Sequence, residues 1–186
     1  MILAAVSGGL DSVTMLYKLL VETDEAVHVH HVSLRTIGDR WRAEDAAMGR
    51  IVPWLRENTR PFGYSTSIFR RRRYVADIVI VSDICGQIAA KMPERPKLAR
   101  GANAHDMGDG SVGKRQRAAE LRWRAAFRFK DVPEIVFPIA HMTRADCWSY
   151  LPAELRSMTT SCRRPWDAGP EYTPCGKCHS CRGLIE

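Results

Sequence analysis

The sequence predicts an α/β fold: a parallel five-stranded sheet with helices on both faces, Rossmann-like, followed by a small C-terminal metal-binding segment. Short apolar runs alternate along the chain with stretches whose hydrophobic residues recur at three- and four-residue steps. Its 186 residues, 45% of them hydrophobic, suit one α/β domain with an appendage and leave no room for a second catalytic domain. The expected division is residues 1–151 for the α/β domain and 152–186 for the appendage.

Ile2, Leu3, Ala4, Ala5 and Val6 form a continuous hydrophobic run, as expected of a strand buried on both faces. Val13, Leu16, Leu19 and Leu20 then recur at helical spacing. Between them, Ser7 to Ser12 reads SGGLDS. Gly8 and Gly9 allow close backbone approach to an anion, and the free amides at the helix start favour negative charge. Ser7 and Ser12 add hydroxyls, while Asp11 is placed to cap the helix or to hold a nucleotide's Mg2+.

A second strand is expected within Val27 to Leu34. His28, His30 and His31 lie inside it, but successive strand residues face opposite ways and no carboxylate or cysteine partner is evident, so they read as strand histidines and not as a metal site. Arg35 to Arg40 follows as a loop at the ligand-binding edge of the sheet. A helix spans Trp41 to Leu55, with Pro53 weakening its last turn. Phe62 to Phe69 makes a poor third strand, and Arg70 to Arg73 lead into an apolar helix over Val75 to Ala90 that places Cys85 in the core. Lys97 to Asn103 is a short strand; Ala104 to Gly113, rich in Gly and Asp, reads as a mobile binding loop, and Lys114 to Lys130 as a basic helix with a solvated face. Glu134 to Ile139 is the last strand. Thr143 caps a short helix through Asp146, with Arg144 in its first turn as a candidate anion contact.

The net charge of +7 and the four consecutive arginines suggest nucleic acid. With only six lysines, however, the excess is almost wholly arginine, and positive potential equally serves an enzyme handling anionic substrates, so no direct nucleic-acid contact is expected. No apolar run is long enough to span a bilayer and the first residues enter the buried strand directly, so the expectation is no membrane, no signal peptide and a cytoplasmic protein; a homodimer is compatible with it.

Cys162, Cys175, Cys178 and Cys181 are spaced C-x12-C-x2-C-x2-C. Four thiolates close a tetrahedral shell around structural Zn2+, the expected metal; an iron–sulfur cluster is the rival.

SGGLDS resembles the pyrophosphate loop, SGGxDS, of the PP-loop ATP pyrophosphatases, whose fold is of the HUP class. Together with GANAHD at Gly101 to Asp106, FPIAHMTRAD at Phe137 to Asp146, TTSCRRPW from Thr159 and CGKCHSC from Cys175, the chain resembles the 7-cyano-7-deazaguanine synthase (QueC) family. The resemblance implies an ATP-dependent C–N ligase that converts 7-carboxy-7-deazaguanine and ammonia to the nitrile, or to its amide intermediate, through an adenylate, with Mg2+ and Zn2+, for queuosine-type nucleic-acid modification. ATP would be held by Val6, Ser7, Gly8, Gly9, Leu10, Asp11, Ser12, Val13 and Thr14, and the substrate by Asn103, Asp106 and Arg144. No catalytic acid or base is identified. The sequence departs from the family where LRTIGDR stands for a DYGQRH-like segment and where Met107 to Arg115 lacks an SGYPDCR-like run. A QueC-like enzyme using another acceptor and a tRNA-modifying PP-loop enzyme are the alternatives.

Overall fold

The computed structural model describes residues 1–35, 40–70, 76–108, 110–165 and 173–182. Thr36 to Asp39, most of the arginine run with Tyr74 and Val75, Asp109, Trp166 and the last residues therefore lie outside what is described. Five strands, β1 (Ile2–Ala5), β2 (Val27–Arg35), β3 (Gly63–Arg70), β4 (Lys97–Arg100) and β5 (Ile135–Val136), pair in parallel in the order β3-β2-β1-β4-β5. The strand order reverses direction between β1 and β4, so the carboxyl ends of those two strands form the crevice where open α/β sheets take their ligands.

The strands alternate with α1 (Leu10–Glu22), α2 (Arg40–Asn58), α3 (Asp77–Ala89), α4 (Ala104–Gly108), α5 (Gly110–Ala126), α6 (Arg144–Tyr150), α7 (Ala153–Ser157) and α8 (His179–Arg182). Successive β1 side chains go to opposite faces. Ile2, Ala4 and Val6 join Leu16, Ile51, Leu55 and Leu155 in one core layer, while Leu3 meets Leu98, Cys85, Ala89, Trp123 and Phe127 in the other. The run at the start of the chain is apolar throughout because both faces are covered.

Several segments differ from the sequence expectation for local reasons. The described residues of Ala104 to Gly113 form no loop but belong to α4 and α5. Asn103 caps α4 by accepting the Asp106 N–H at 3.0 Å, and the Ala104 N–H is taken by the Met142 carbonyl at 2.9 Å. Helix α2 passes through Pro53 to Asn58, since that ring lies on the solvent side while Ile51, Val52 and Leu55 bury the opposite face. Strand β5 is two residues long because Pro138 breaks the ladder and the chain turns, with the Ala140 N–H on the Phe137 carbonyl at 3.1 Å. Thr143 and Asp146 form the expected capping box at α6.

The outer face of α5 is basic: Lys114, Arg117, Arg122 and Arg124 are exposed, with Glu120 the carboxylate beside them, paired to Arg124 at 3.5 Å. Its inner face carries Trp123, fully buried, edge-on to Phe127 and donating its indole N–H to the Pro133 carbonyl at 2.7 Å. No described helix is long and apolar enough to cross a membrane.

Truncating Trp123 removes the largest side chain of the α3–α5 layer and leaves a cavity. Trp123→Ala is expected to lower unfolding stability by about 3–5 kcal/mol, measured by denaturant melts.

Candidate functional site: the β1–α1 turn and the four-cysteine segment

The turn from β1 into α1 is tied internally before any ligand arrives. The Ser7 N–H donates to Ser12 Oγ at 3.2 Å, Ser12 Oγ donates to the Gly9 carbonyl at 3.0 Å, and the Gly9 N–H reaches Ser7 Oγ at 3.4 Å. Gly8 has φ +83°, the left-handed region, and a Cβ there would stand 3.1 Å from Ala47 Cβ and 3.2 Å from the Glu44 carbonyl on α2. Only glycine satisfies both conditions. Across the crevice, a Cβ on Gly101 would fall 2.7 Å from Ser12 Cα, so β4 and the start of α1 meet backbone to backbone. Within the Val6 to Thr14 stretch, Val6, Leu10, Val13 and Thr14 bury their side chains, and the Thr14 hydroxyl is used on the Cys147 carbonyl at 3.3 Å. What this stretch offers a ligand is the backbone of the turn together with Ser7, Asp11 and Ser12.

Asp11 lies in the first turn of α1 but does not cap it. Its carboxylate accepts from Asn103 Nδ2 at 3.2 Å, the same Asn103 whose oxygen caps α4. Burial raises the Asp11 pKa above its ordinary value, and the Arg144 charge and the Asn103 hydrogen bond oppose that only in part. Arg144 carries a buried Nε with no hydrogen-bond partner among the described residues. Asn103, Asp106 and Arg144, singled out from the sequence, thus gather with Asp11 at one edge of the sheet.

Two cavities open there, of about 350 and about 290 Å³, sharing Ser7, Ser12, Arg40, Gly101, Asp106 and Arg163 along their common wall. The first is polar, with Asp11, Asn103, Arg144, Thr160, Ser161 and Ser180. The second is floored by Val6, Val32, Leu34, Ile78 and Val81 and rimmed by charge. On that rim Arg40 bridges Glu44 at 2.7 Å and Asp77 at 2.9 Å. Burial raises the Glu44 pKa against the pull of Arg40, and burial lowers Arg100, another wall residue, to about 10.

Glu44, Asp77 and Arg100 escaped the sequence reading: they belong to no motif, and nothing in a single sequence signals that α2, α3 and β4 converge. Arg40 fares differently, since the loop expected to line a ligand pocket ends on it. The histidines also differ from expectation in one respect. His31 does have a carboxylate, Asp45 at 2.9 Å, with Val6 O on its other nitrogen at 2.8 Å, and Asp45 also accepts from Ser33. His28 and His30 face Ser65 and Ser67, and burial lowers the His30 pKa to about 4. The three rings are therefore engaged one by one with hydroxyls, a carbonyl and a carboxylate, as strand histidines.

The four cysteines converge, with all four sulfurs within 4.8 Å of one another. Backbone N–H groups already point at three of them: Cys175 N to Cys162 Sγ at 3.2 Å, Cys178 N to Cys175 Sγ at 3.4 Å, and Arg163 N to Cys178 Sγ at 3.5 Å. Such donors stabilise thiolate ligands. At Cys178, burial works to raise the thiol, but these and neighbouring donors bring it down to about 6. The donor set fits a cation held by four thiolates, with Cys162, Cys175, Cys178 and Cys181 as ligands; tetrahedral thiolate sites of this kind are held by Zn2+ and by iron–sulfur clusters alike.

No family model and no curated protein matches the chain. Among solved structures, it is similar to the U34-tRNA thiolase NcsA from Methanococcus maripaludis with its [4Fe-4S] cluster, at a TM-score of 0.54 and 17% identity, covering 99% of this chain and 63% of that one. This chain therefore spans less than two thirds of the thiolase, and at that identity the likeness shows the fold alone, a Rossmann-like parallel sheet covered by helices.

Because the folded protein holds the Asp11 proton to higher pH than the unfolded chain, this group's contribution to stability is complete below the ordinary value of 3.8 and is lost as pH rises through the raised one. Asp11→Asn in the nucleotide-free protein should therefore melt at higher temperature than wild type at pH 7, and this gain should vanish below pH 3.8. Cys178→Ser should lower both metal content and stability, the latter by several kcal/mol, in paired metal analysis and thermal melts.

Proposed function

We propose that the chain is an ATP-dependent activating enzyme whose substrate is 7-carboxy-7-deazaguanine and whose second substrate is ammonia. The observation that carries this reading is the two-part cleft, in which a polar half built on glycine amides, Asp11 and Arg144 adjoins an apolar slot with a charged rim. The polar half suits a triphosphate with its Mg2+, and the slot suits a flat heteroaromatic ring carrying hydrogen-bonding edges.

A carboxylate is a poor electrophile. Its oxygen would attack the α-phosphorus of ATP and expel pyrophosphate, giving an acyl adenylate; ammonia would then add at the carbonyl carbon and expel AMP, leaving the amide. A second ATP would adenylylate the amide oxygen and expel a second pyrophosphate, and loss of that oxygen as AMP, with the nitrogen giving up both of its protons, would leave the nitrile. The turn amides, Arg144 and Arg163 would act by alignment and charge stabilisation instead of covalent attachment. Asn103 holds the Asp11 carboxylate, which would take the nucleotide's Mg2+.

A second reading, oxygen activation on an RNA base, is favoured by the likeness to the tRNA thiolase. Sulfur transfer calls for a reactive thiol or a cluster with an open position. Burial pushes Cys85 and Cys147 up to about 12, far from thiolate character at neutral pH, and the other four cysteines are mutually convergent. Cys85 and Cys147 are therefore unsuited as sulfur carriers, and thiolation would have to run through a cluster held by the four convergent cysteines.

Incubation of the metal-loaded protein with ATP, Mg2+, ammonium and 7-carboxy-7-deazaguanine should yield AMP, pyrophosphate and a product lighter than the acid, read by mass spectrometry as the amide or nitrile. A parallel incubation with unmodified tRNA decides the second reading: AMP released only when tRNA is present would displace the first.

A further inference from the structure

The C-terminal segment does not stand apart from the turn. The Thr160 N–H donates to the Gly8 carbonyl at 2.9 Å, and the Thr160 carbonyl would lie 3.2 Å from a Cβ on Gly9. The Leu10 N–H, one of the donors left open at the start of α1, is met by Ser161 Oγ at 3.3 Å, a hydroxyl that is 151 residues away in sequence. The next residue is Cys162, whose sulfur accepts from Cys175 N. After it comes Arg163, whose backbone N–H donates to Cys178 Sγ and whose Nε donates to Ser180 Oγ at 3.2 Å, within the cysteine cluster; its side chain lines both halves of the cleft. Four consecutive residues are thus fastened to the glycine turn at one end and to the sulfur cluster at the other.

We propose that Thr160 to Arg163 form a wall of the nucleotide site held in place by the cysteine-bound metal, with Ser161 Oγ and the Arg163 guanidinium as phosphate contacts, so that metal loading and ATP binding strengthen each other. The proposal rests on the reading of the turn as an ATP site. A hydroxyl both accepts and donates. Ser161 now accepts from the Leu10 amide, where a phosphate oxygen would be received; once that oxygen arrives, the same hydroxyl can turn and donate to it. Arg163 adds a cation whose terminal nitrogens have no partner among the described residues, anchored at Nε so that little side-chain freedom is lost on binding. Metal on Cys162 fixes the position of the residues on either side of it. Because linkage is reciprocal, whatever factor the metal adds to ATP affinity, ATP adds to metal affinity.

The test measures the affinity of α,β-methylene-ATP with Mg2+ by calorimetry. The zinc-loaded protein is compared with the protein stripped of metal by chelator, its fold followed by circular dichroism. Stripping should weaken binding by roughly 5- to 150-fold, the usual range of coupling between two sites. Ser161→Ala and Arg163→Ala, both still zinc-loaded by metal analysis, should each weaken it roughly tenfold, the size of one hydrogen bond to a charged group. In the reverse direction, saturating analogue should slow zinc transfer to a chromophoric chelator. Equal affinity with and without zinc in a folded protein would overturn the coupling. If the stripped protein unfolds, the two variants decide the matter: unchanged affinity in both, or tighter binding in Ser161→Ala as expected of a mere plug, would overturn it. Failure of the loaded wild-type protein to bind the analogue at all would overturn the ATP reading itself, whereas binding that ignores the metal removes only the coupling.

Discussion

The cleft exists because glycines let the chain approach itself closely at three points. Gly8 lies against α2 at a φ that other residues rarely adopt, Gly101 brings the end of β4 onto the first turn of α1, and Gly9 faces the Thr160 carbonyl. A methyl group at Gly101 would overlap the Ser12 backbone and separate β4 from α1 at the point where the sheet reverses its strand order. The dense packing beneath, with Leu3, Leu10, Val13 and Leu16 all fully buried, makes that geometry rigid, so the amides of the turn are held in place before a ligand arrives.

Charge is then distributed over this frame at a cost in stability. Asp11 and Glu44 are carboxylates that burial makes harder to ionise, and Arg100 is a guanidinium that burial pushes toward neutrality. A hydrophobic replacement of such groups is often neutral or stabilising. Their presence around one crevice, with the orphaned Arg144 Nε, makes sense if a highly charged guest supplies the missing partners. The Arg40 bridge to Glu44 and Asp77 joins α2 to α3 across the apolar slot, so the rim of that slot depends on the same electrostatics as the turn.

Much of this was legible in the sequence. A continuous apolar run that breaks at two glycines before helical spacing resumes fixes the β1–α1 turn, and four cysteines at short intervals announce a shared ligand. Both signals are local, and local signals survive without tertiary knowledge. The Gly- and Asp-rich stretch after Asn103 misled because composition argued for a loop, while a cap from Asn103 and the packing of α5 on α3 imposed helix. The third strand read poorly because β3 is an edge strand whose residues alternate in exposure, with serines supplied as partners for His28 and His30. Least visible were contacts made across the chain: Asp45 with His31, Arg40 with Asp77, Ser161 with Leu10. None of these has a spacing that a single sequence can reveal.

The pairing of β1 with β4 joins Ile2 to Lys97, and Ser161 reaches the turn later still. On the ribosome, β1 has no partner on its β4 side until almost a hundred residues have followed it. Contacts of such large separation are slow to form and leave a sticky strand in waiting. The glycine turn is thus finished by residues from far along the chain, and a polypeptide made only as far as β4 holds the turn without the wall that closes over it.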